Sequence, residues 1–234
     1  MIEVDEKRRF EIEEHLRTEA AYHEVGHAVM FIAVEPRWDA FVHVALTPDD
    51  KNLCGRLRRV SLMNLSPDWT EDAALAFRVF SHEFCTIIAG PMAEIKYREC
   101  SSDDDGLDLG DYLAEGFGKQ GTDGDLLEVY AAAITTIGGE KALPWHNLEM
   151  LTREFLESNW ESVNRVAKAL LKSGRLNYDA TVAAMRGLPT LPKNNWIDQQ
   201  CKKSGKGYDS SQWPNLCRLI TWGTDRDRFR SMYP

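Results

Sequence analysis

Ala21-Tyr22-His23-Glu24-Val25-Gly26-His27-Ala28-Val29 holds the pattern His-Glu-x-x-His, with its two histidines four residues apart. On an α-helix those positions share one face about a turn apart, so His23 and His27 can aim their imidazoles at a common point. Zinc is the usual occupant of such a point, and Glu24 stands beside it where a general base for water is needed. The surroundings suit a buried helix. Ala20, Ala21, Gly26 and Ala28 allow close packing, and Val29, Met30, Phe31 and Ile32 are apolar. The bland alternative is a core helix whose two histidines merely hydrogen-bond to neighbours.

The chain around this stretch has 234 residues, enough for one large domain or one domain with an appendage. Its 43% hydrophobic and 28% charged residues are those of an ordinary globular protein. A net charge of -9 argues against nucleic acid or an anionic membrane as the main partner. Cys54, Cys85, Cys100, Cys201 and Cys217 are odd in number and form no Cys-x-x-Cys pair. They read as reduced thiols in a cytoplasmic compartment. The N-terminus lacks an apolar signal core, and the longest apolar run, residues 28–34, is too short to span a bilayer. The expectation is a cytoplasmic protein with no membrane span.

Residues 5–34 read as one helix, stopped by Pro36. Residues 41–46 alternate as a strand, residues 47–52 carry turn chemistry, and residues 53–60 return as a second strand. His43 reads as a strand side chain facing solvent or a neighbour. Residues 68–97 are expected to be helical, with Ala74, Phe77, Phe80, Phe84, Ile87 and Ile88 facing the core and Gly90-Pro91 as a break or kink. His82 and Glu83 read as part of that helix's polar face. Residues 98–120 have no clear period, and the acid run Ser101-Ser102-Asp103-Asp104-Asp105-Gly106 reads as a solvated loop. Residues 121–126 open a further helix that Asp123 can cap and Gly138-Gly139 closes. Residues 148–171 are expected as a single helix stopped at Ser173-Gly174, and residues 178–185 as a short one. From Gly187 periodicity disappears among Pro189, Pro192, Pro214 and Pro234 and Trp196, Trp213 and Trp222. Nothing in the spacing of Cys201 and Cys217 favours a disulfide over two thiols. No phosphate-binding Gly-x-x-x-x-Gly-Lys loop occurs.

A catalytic zinc takes three protein ligands and keeps a fourth position for water. Candidates for the third are Glu83, Glu94, the Asp103–Asp105 run, Asp108, Asp111, Asp123 and Asp125. A ligand must be held rigidly, which favours acids on helices and narrows the set to Glu94, Asp123 and Asp125. Glu94 suits equally a carboxylate that orients a histidine ligand. The residues alone go no further.

The zinc-helix stretch resembles that of the FtsH-type peptidase domain. Ile88-Ala89-Gly90-Pro91-Met92-Ala93-Glu94 is similar to that family's Leu-Gly-Gly-Arg-x-Ala-Glu helix, and Gly121-Thr122-Asp123-Gly124-Asp125-Leu126 to its Gly-Ala-x-Asn-Asp-Leu segment. Residues 42–48 resemble the strand after the zinc helix. Leu170-Leu171 with Gly174-Arg175-Leu176 resembles the closing helix. The motifs follow the family's order and cover roughly residues 18–187 of the chain. By carry-over, Asp125 is the third zinc ligand. Pro91 stands where the family has arginine and Gly124 where it has asparagine, and the membrane anchor and ATPase domain that normally precede this domain are absent from the sequence.

The resemblance implies a mainly helical, zincin-like metallopeptidase domain with a small β-sheet or hairpin over residues 1–187, followed by a 188–234 extension of unassigned role. Zn²⁺ is its cofactor, held by His23, His27 and Asp125, with Glu24 as the base and Glu94 as a candidate partner of a ligand. The strand at 41–46 follows the zinc helix closely. If its edge is open, Val42 and Val44 would bind an extended substrate by strand addition. The expected activity is ATP-independent endopeptidase cleavage of unfolded or flexible polypeptides. Competing expectations are a non-catalytic peptidase-fold regulator or adaptor, and a protease dedicated to one protein such as a repressor. A separate ATPase or adaptor docking on the tail, and a second copy of the chain, complete the partners considered; nucleic acid is not among them.

Overall fold

From residue 5 to residue 25 the sequence offers no glycine or proline, and helix-favouring Glu, Lys, Arg and Ala predominate. The structure, a computed structural model, forms helix α1 there, Ile2–Val34. It describes residues 2–47, 54–66, 68, 72–101, 109, 123–138, 144–193 and 195–204; within these, the side chains of 2–12, 47, 54, 123–126, 128, 129, 136 and 138 lie outside the description. The acid run from 103, the loop acids Asp108 and Asp111, Gly139, and Cys217 with most of the tail therefore fall outside the described residues.

Beyond α1 come β1 (Phe41–Thr47), β2 (Cys54–Arg59), α2 (Leu62–Leu65), α3 (Ala73–Ser101), α4 (Asp123–Gly138), α5 (Pro144–Ser158), α6 (Trp160–Ser173), β3 (Arg175–Leu176), α7 (Tyr178–Met185) and α8 (Trp196–Ser204). The described residues are mainly helical with one small antiparallel sheet, ordered β2-β1-β3. The chain divides into two compact units. One comprises Met1–Val60, Ile88–Leu107 and Arg153–Leu191; the other comprises Ser61–Ile87, Asp108–Thr152 and Pro192–Pro234.

In the first unit α1 packs on the sheet and on α6. Its core holds Val25, Phe31, Ile32, Phe41, Val44, Ile88, Phe155, Val163, Val166, Leu170 and Leu176, all buried. Gly26 sets the closeness of α1 to α3. A Cβ there would lie 2.2 Å from the Ala89 carbonyl oxygen and 2.7 Å from the Ala93 Cβ, so only glycine fits without moving backbone. Tyr22 stacks on Tyr97 at 4.2 Å between centroids and donates its hydroxyl to Asn164 Oδ1 at 2.7 Å.

In the second unit Phe77, Phe80, Phe84, Leu127, Ile134, Leu148 and Ile197 are buried. Phe77 meets Trp196, Phe80 stacks near Tyr130, and Phe84 meets Trp145 edge-on. Helix α3 is long and apolar enough to cross a membrane, but most of its apolar window is buried in the protein, as in a core helix. Cys85 is buried there with its Sγ 4.0 Å from the Leu148 carbonyl; burial pushes its thiol up to about 12, so it stays a protonated packing residue.

Several expectations need correcting. Helix α3 runs through Pro91 unbroken. Proline costs one i→i−4 bond, and the buried neighbours on both sides (Ile87, Ile88, Met92, Ala93) hold the helix together across the gap. The expected single helix at 148–171 is two, because Asn159 ends α5 by turning its own amide Nδ2 back to the Phe155 carbonyl at 2.9 Å. Glu83 is no part of a polar face. It is buried and accepts from Ser61 Oγ at 2.9 Å and Leu62 N at 2.7 Å, fixing the start of the unforeseen α2. His82 is half-buried beside it. Burial first, then the Arg78 guanidinium, hold its imidazole down to about 4, while Glu83 acts in the opposite direction. The tail is not aperiodic throughout, since Trp196–Ser204 is helical and Ile197 is buried. Cys201 carries a free thiol whose Sγ lies 3.4 Å from the Ala74 carbonyl.

Candidate metal centre

His23, Glu24 and His27 occupy one turn and a half of α1, and helical geometry alone brings the two imidazoles to one side. Their ring centroids are 4.8 Å apart with edges crossed at 81°. Two rings bound through Nε2 to one tetrahedral zinc at about 2.1 Å would have centroids on the order of 5 Å apart, so the pair fits that ion. Both rings are half-buried, whereas Glu24 is buried.

Glu94 reaches the pair from α3. Its Oε2 lies 3.0 Å from His23 Nδ1. A carboxylate only accepts, so the neutral ring carries its proton on Nδ1 and keeps the Nε2 lone pair for a metal. Glu94 is held in turn by Arg98, one turn further along α3, whose Nη2 lies 2.6 Å from Glu94 Oε1. The same guanidinium reaches Glu19 on α1, with Nε 2.7 Å from Oε1 and Nη2 3.2 Å from Oε2. His15 Nε2 follows, 3.1 Å from Glu19 Oε1. Hydrogen bonds thus run from His23 through Glu94 and Arg98 Nη2 to Glu19 between two helices, with His15 at ion-pair distance beyond. Each link restrains the rotamer of the one before it.

Two glycines leave space at the centre. A Cβ on Gly90 would lie 2.3 Å from His27 Nε2 and Cε1 and 2.8 Å from Cδ2, so only glycine lets α3 pack this closely on the face of the His27 ring. A Cβ on Gly55 of β2 would lie 2.0 Å from Glu24 Cγ and 3.0 Å from its Oε1. Gly55 thus lets the strand close down on the glutamate. Two imidazoles at this spacing are a donor pair of the kind zinc takes.

Asp125 and Asp123 stand in the first turn of α4, in the second unit, and their side chains lie outside the described residues. Among the described residues no three His, Cys, Asp or Glu side chains gather into a metal-sized group. His43 lies on β1, where Arg175 Nη2 donates to its Nδ1 at 3.0 Å.

The open edge expected at 41–46 is absent. β1 is the central strand, paired with β2 along its length and with β3 at Val44↔Leu176 and Ala45↔Arg175. Val44 is buried, and Val42 is the exposed residue of a bulge between Phe41 and His43. Val44 therefore offers no free edge to a peptide, while Val42 has no partner in either register. Among the described residues β2 pairs only with β1, so the edge beside Glu24 belongs to β2.

Sequence reading missed Gly55, Arg98 and Glu19. The first two left a trace, since glycine inside a strand often marks a close approach and Arg98 follows Glu94 at i+4. Glu19 had none, because its partner is 79 residues away. Compared with known proteins, the sequence matches no protein-family model and no curated protein.

Proposed function

We propose that this chain is a zinc-dependent endopeptidase with a zincin-like site. The observation that carries the reading is the His23 Nδ1–Glu94 contact, which presents the Nε2 side of a His-Glu-x-x-His pair for a metal. His23 and His27 would hold zinc through Nε2, and the resemblance to FtsH-type peptidases names Asp125 as third ligand. Bound there, zinc supplies a Lewis acid and brings its water's pKa toward about 7.

The chain's own residues supply the rest. Glu24, buried against Gly55, takes a proton from the attacking water on its carboxylate and passes it to the leaving amine. Glu94 keeps His23 in one tautomer and one rotamer. Strand β2 offers backbone donors and acceptors to an extended polypeptide, and such a segment would run beside Glu24. Folded proteins present few extended segments, so the substrate class is peptides and unfolded or flexible chains, cut without ATP.

Elemental analysis for zinc, followed by a digest of a peptide library and of casein, tests the reading. Glu24→Gln should keep its zinc and lose roughly 10²–10⁴-fold in rate. A Glu24→Gln protein that cleaves as fast as the parent removes Glu24 from the mechanism. Zinc retained by the parent without any cleavage favours a non-catalytic regulator.

A further inference from the structure

Directly paired residues share a face of a sheet, so the register sorts the side chains around β2. Gly55 pairs with Leu46, and Leu57 with Val44, which pairs with Leu176; this is the face on which Gly55 meets Glu24. Arg56 pairs with Ala45, which also pairs with Arg175, and Arg58 pairs with His43. The opposite face therefore gathers Arg56, Arg58 and Arg175 around His43. All three arginines are exposed. Burial first, then Arg175, Arg58 and Arg56 in that order, lower the pKa of His43. Among the described residues no carboxylate forms an ion pair with any of the three.

A concentrated positive face on a chain of net charge -9 is unusual enough to ask what it meets. Arg56 and Arg58 stand at alternate positions of a strand whose other edge has no described partner. Successive same-face residues of a strand are roughly 6.7 Å apart, the spacing of alternate side chains in an extended peptide. A segment added to that edge would place every second side chain beside these guanidinium groups. Arginine's planar fork suits carboxylates at such positions. The net charge of -9 opposes any anion but most of all a nucleic acid, charged on every nucleotide, so a polypeptide with carboxylates at alternate positions only is the better complement.

We propose that β2 selects acidic extended polypeptide segments, with Arg56 and Arg58 receiving carboxylates at alternate positions of the bound strand. The inference rests on the peptidase reading for making that segment a substrate; the binding preference itself rests on the arginines. Opposite-charge cross-strand pairs predict about 1.4- to 5-fold tighter binding per pair at low salt, hence about 2- to 25-fold for two. Screening should erode the preference as salt rises.

The test uses the full zinc-loaded chain as the Glu24→Gln variant, so that peptides bind without being cut. Fluorescence anisotropy compares labelled extended peptides with Glu, Gln or Lys at alternate positions, and a single-stranded oligonucleotide of similar length. Expected is Glu tighter than Gln and Gln tighter than Lys. Adding Arg56→Glu and Arg58→Glu should reverse that order, with melting curves showing that these exposed changes leave the fold intact. Equal binding of the three peptides overturns the proposal, as does an order that survives the double reversal or an oligonucleotide that outcompetes the Glu peptide at the arginines. Cleavage of the same peptides by the parent chain separates the two readings. Selective binding with no cleavage leaves the acidic-segment site standing and removes the peptidase. Cleavage blind to charge does the reverse.

Discussion

Gly55→Ala is a probe of the general base that never touches the glutamate's own chemistry. The added methyl would lie 2.0 Å from Glu24 Cγ and 2.7 Å from its Cδ. Carbon atoms rest at about 3.5–4.0 Å, so Glu24 must retreat by on the order of 1.5 Å. The three nearest atoms all belong to the Glu24 side chain. The backbone therefore need not move, and the cost is one displaced rotamer, about 0.5–1.5 kcal/mol. Removing a glycine from the unfolded chain returns about 0.4–1 kcal/mol. Net stability should thus stay within about 1 kcal/mol of the parent by urea titration, with zinc content unchanged. The rate should not survive: displacement of a reacting group by 1 Å costs about 10²-fold, and kcat on an unstructured peptide should fall by that much or more. Parental kcat in a folded, zinc-bearing variant would refute the placement of Glu24 as base. Loss of zinc alongside rate would show that the strand positions the histidines rather than the glutamate.

Asp125→Asn should strip zinc in a chelator competition while Asp123→Asn holds it; equal retention in both would return attention to Glu94 as a ligand. Arg98→Leu leaves Glu94 and Glu19 facing each other without their shared cation, so we expect a loss of up to roughly 3 kcal/mol and weaker zinc binding. Arg98→Lys should restore only part, since an ammonium cannot fork to both carboxylates, and full recovery of zinc affinity would reduce Arg98 to a mere charge. His82, held down to about 4 in the fold, takes up a proton more readily when unfolded, where its pKa is about 6.5. The stability tied to its neutral form is present above about pH 6.5 and lost as pH falls toward 4, so His82→Gln should flatten the acid limb of a stability–pH profile. An unchanged limb would mean other groups dominate it.

Local patterns were the legible ones. Helix α1, the β1–β2 hairpin and the 178–185 helix follow from period, proline placement and turn residues within a dozen positions of one another. Tertiary facts escaped. Whether 41–46 had an open edge depended on Arg175–Leu176, a two-residue strand too short to show any pattern. Glu83 looked solvent-bound because its partners, Ser61 and Leu62, lie 22 and 21 positions earlier. Proline at 91 suggested a break because the rule counts one lost backbone bond and not the packing that outweighs it. At the site, the His-Glu-x-x-His spacing was readable, while the glycine spaces beside His27 and Glu24 were set by other elements.

Residues 44 and 45 of β1 must wait for Leu176 and Arg175 before their second edge is covered, and α1 must wait for α6. Translation adds about 5–20 residues per second, so on the order of ten seconds separates the synthesis of these partners. For that time the side of α1 that meets α6, with Tyr22 on it, emerges without its cover. Contacts this distant in sequence also make for slow folding. A nascent chain of this design needs shelter from aggregation early. It also cannot complete the first unit, which runs to Leu191, until about four fifths of the 234 residues have been made.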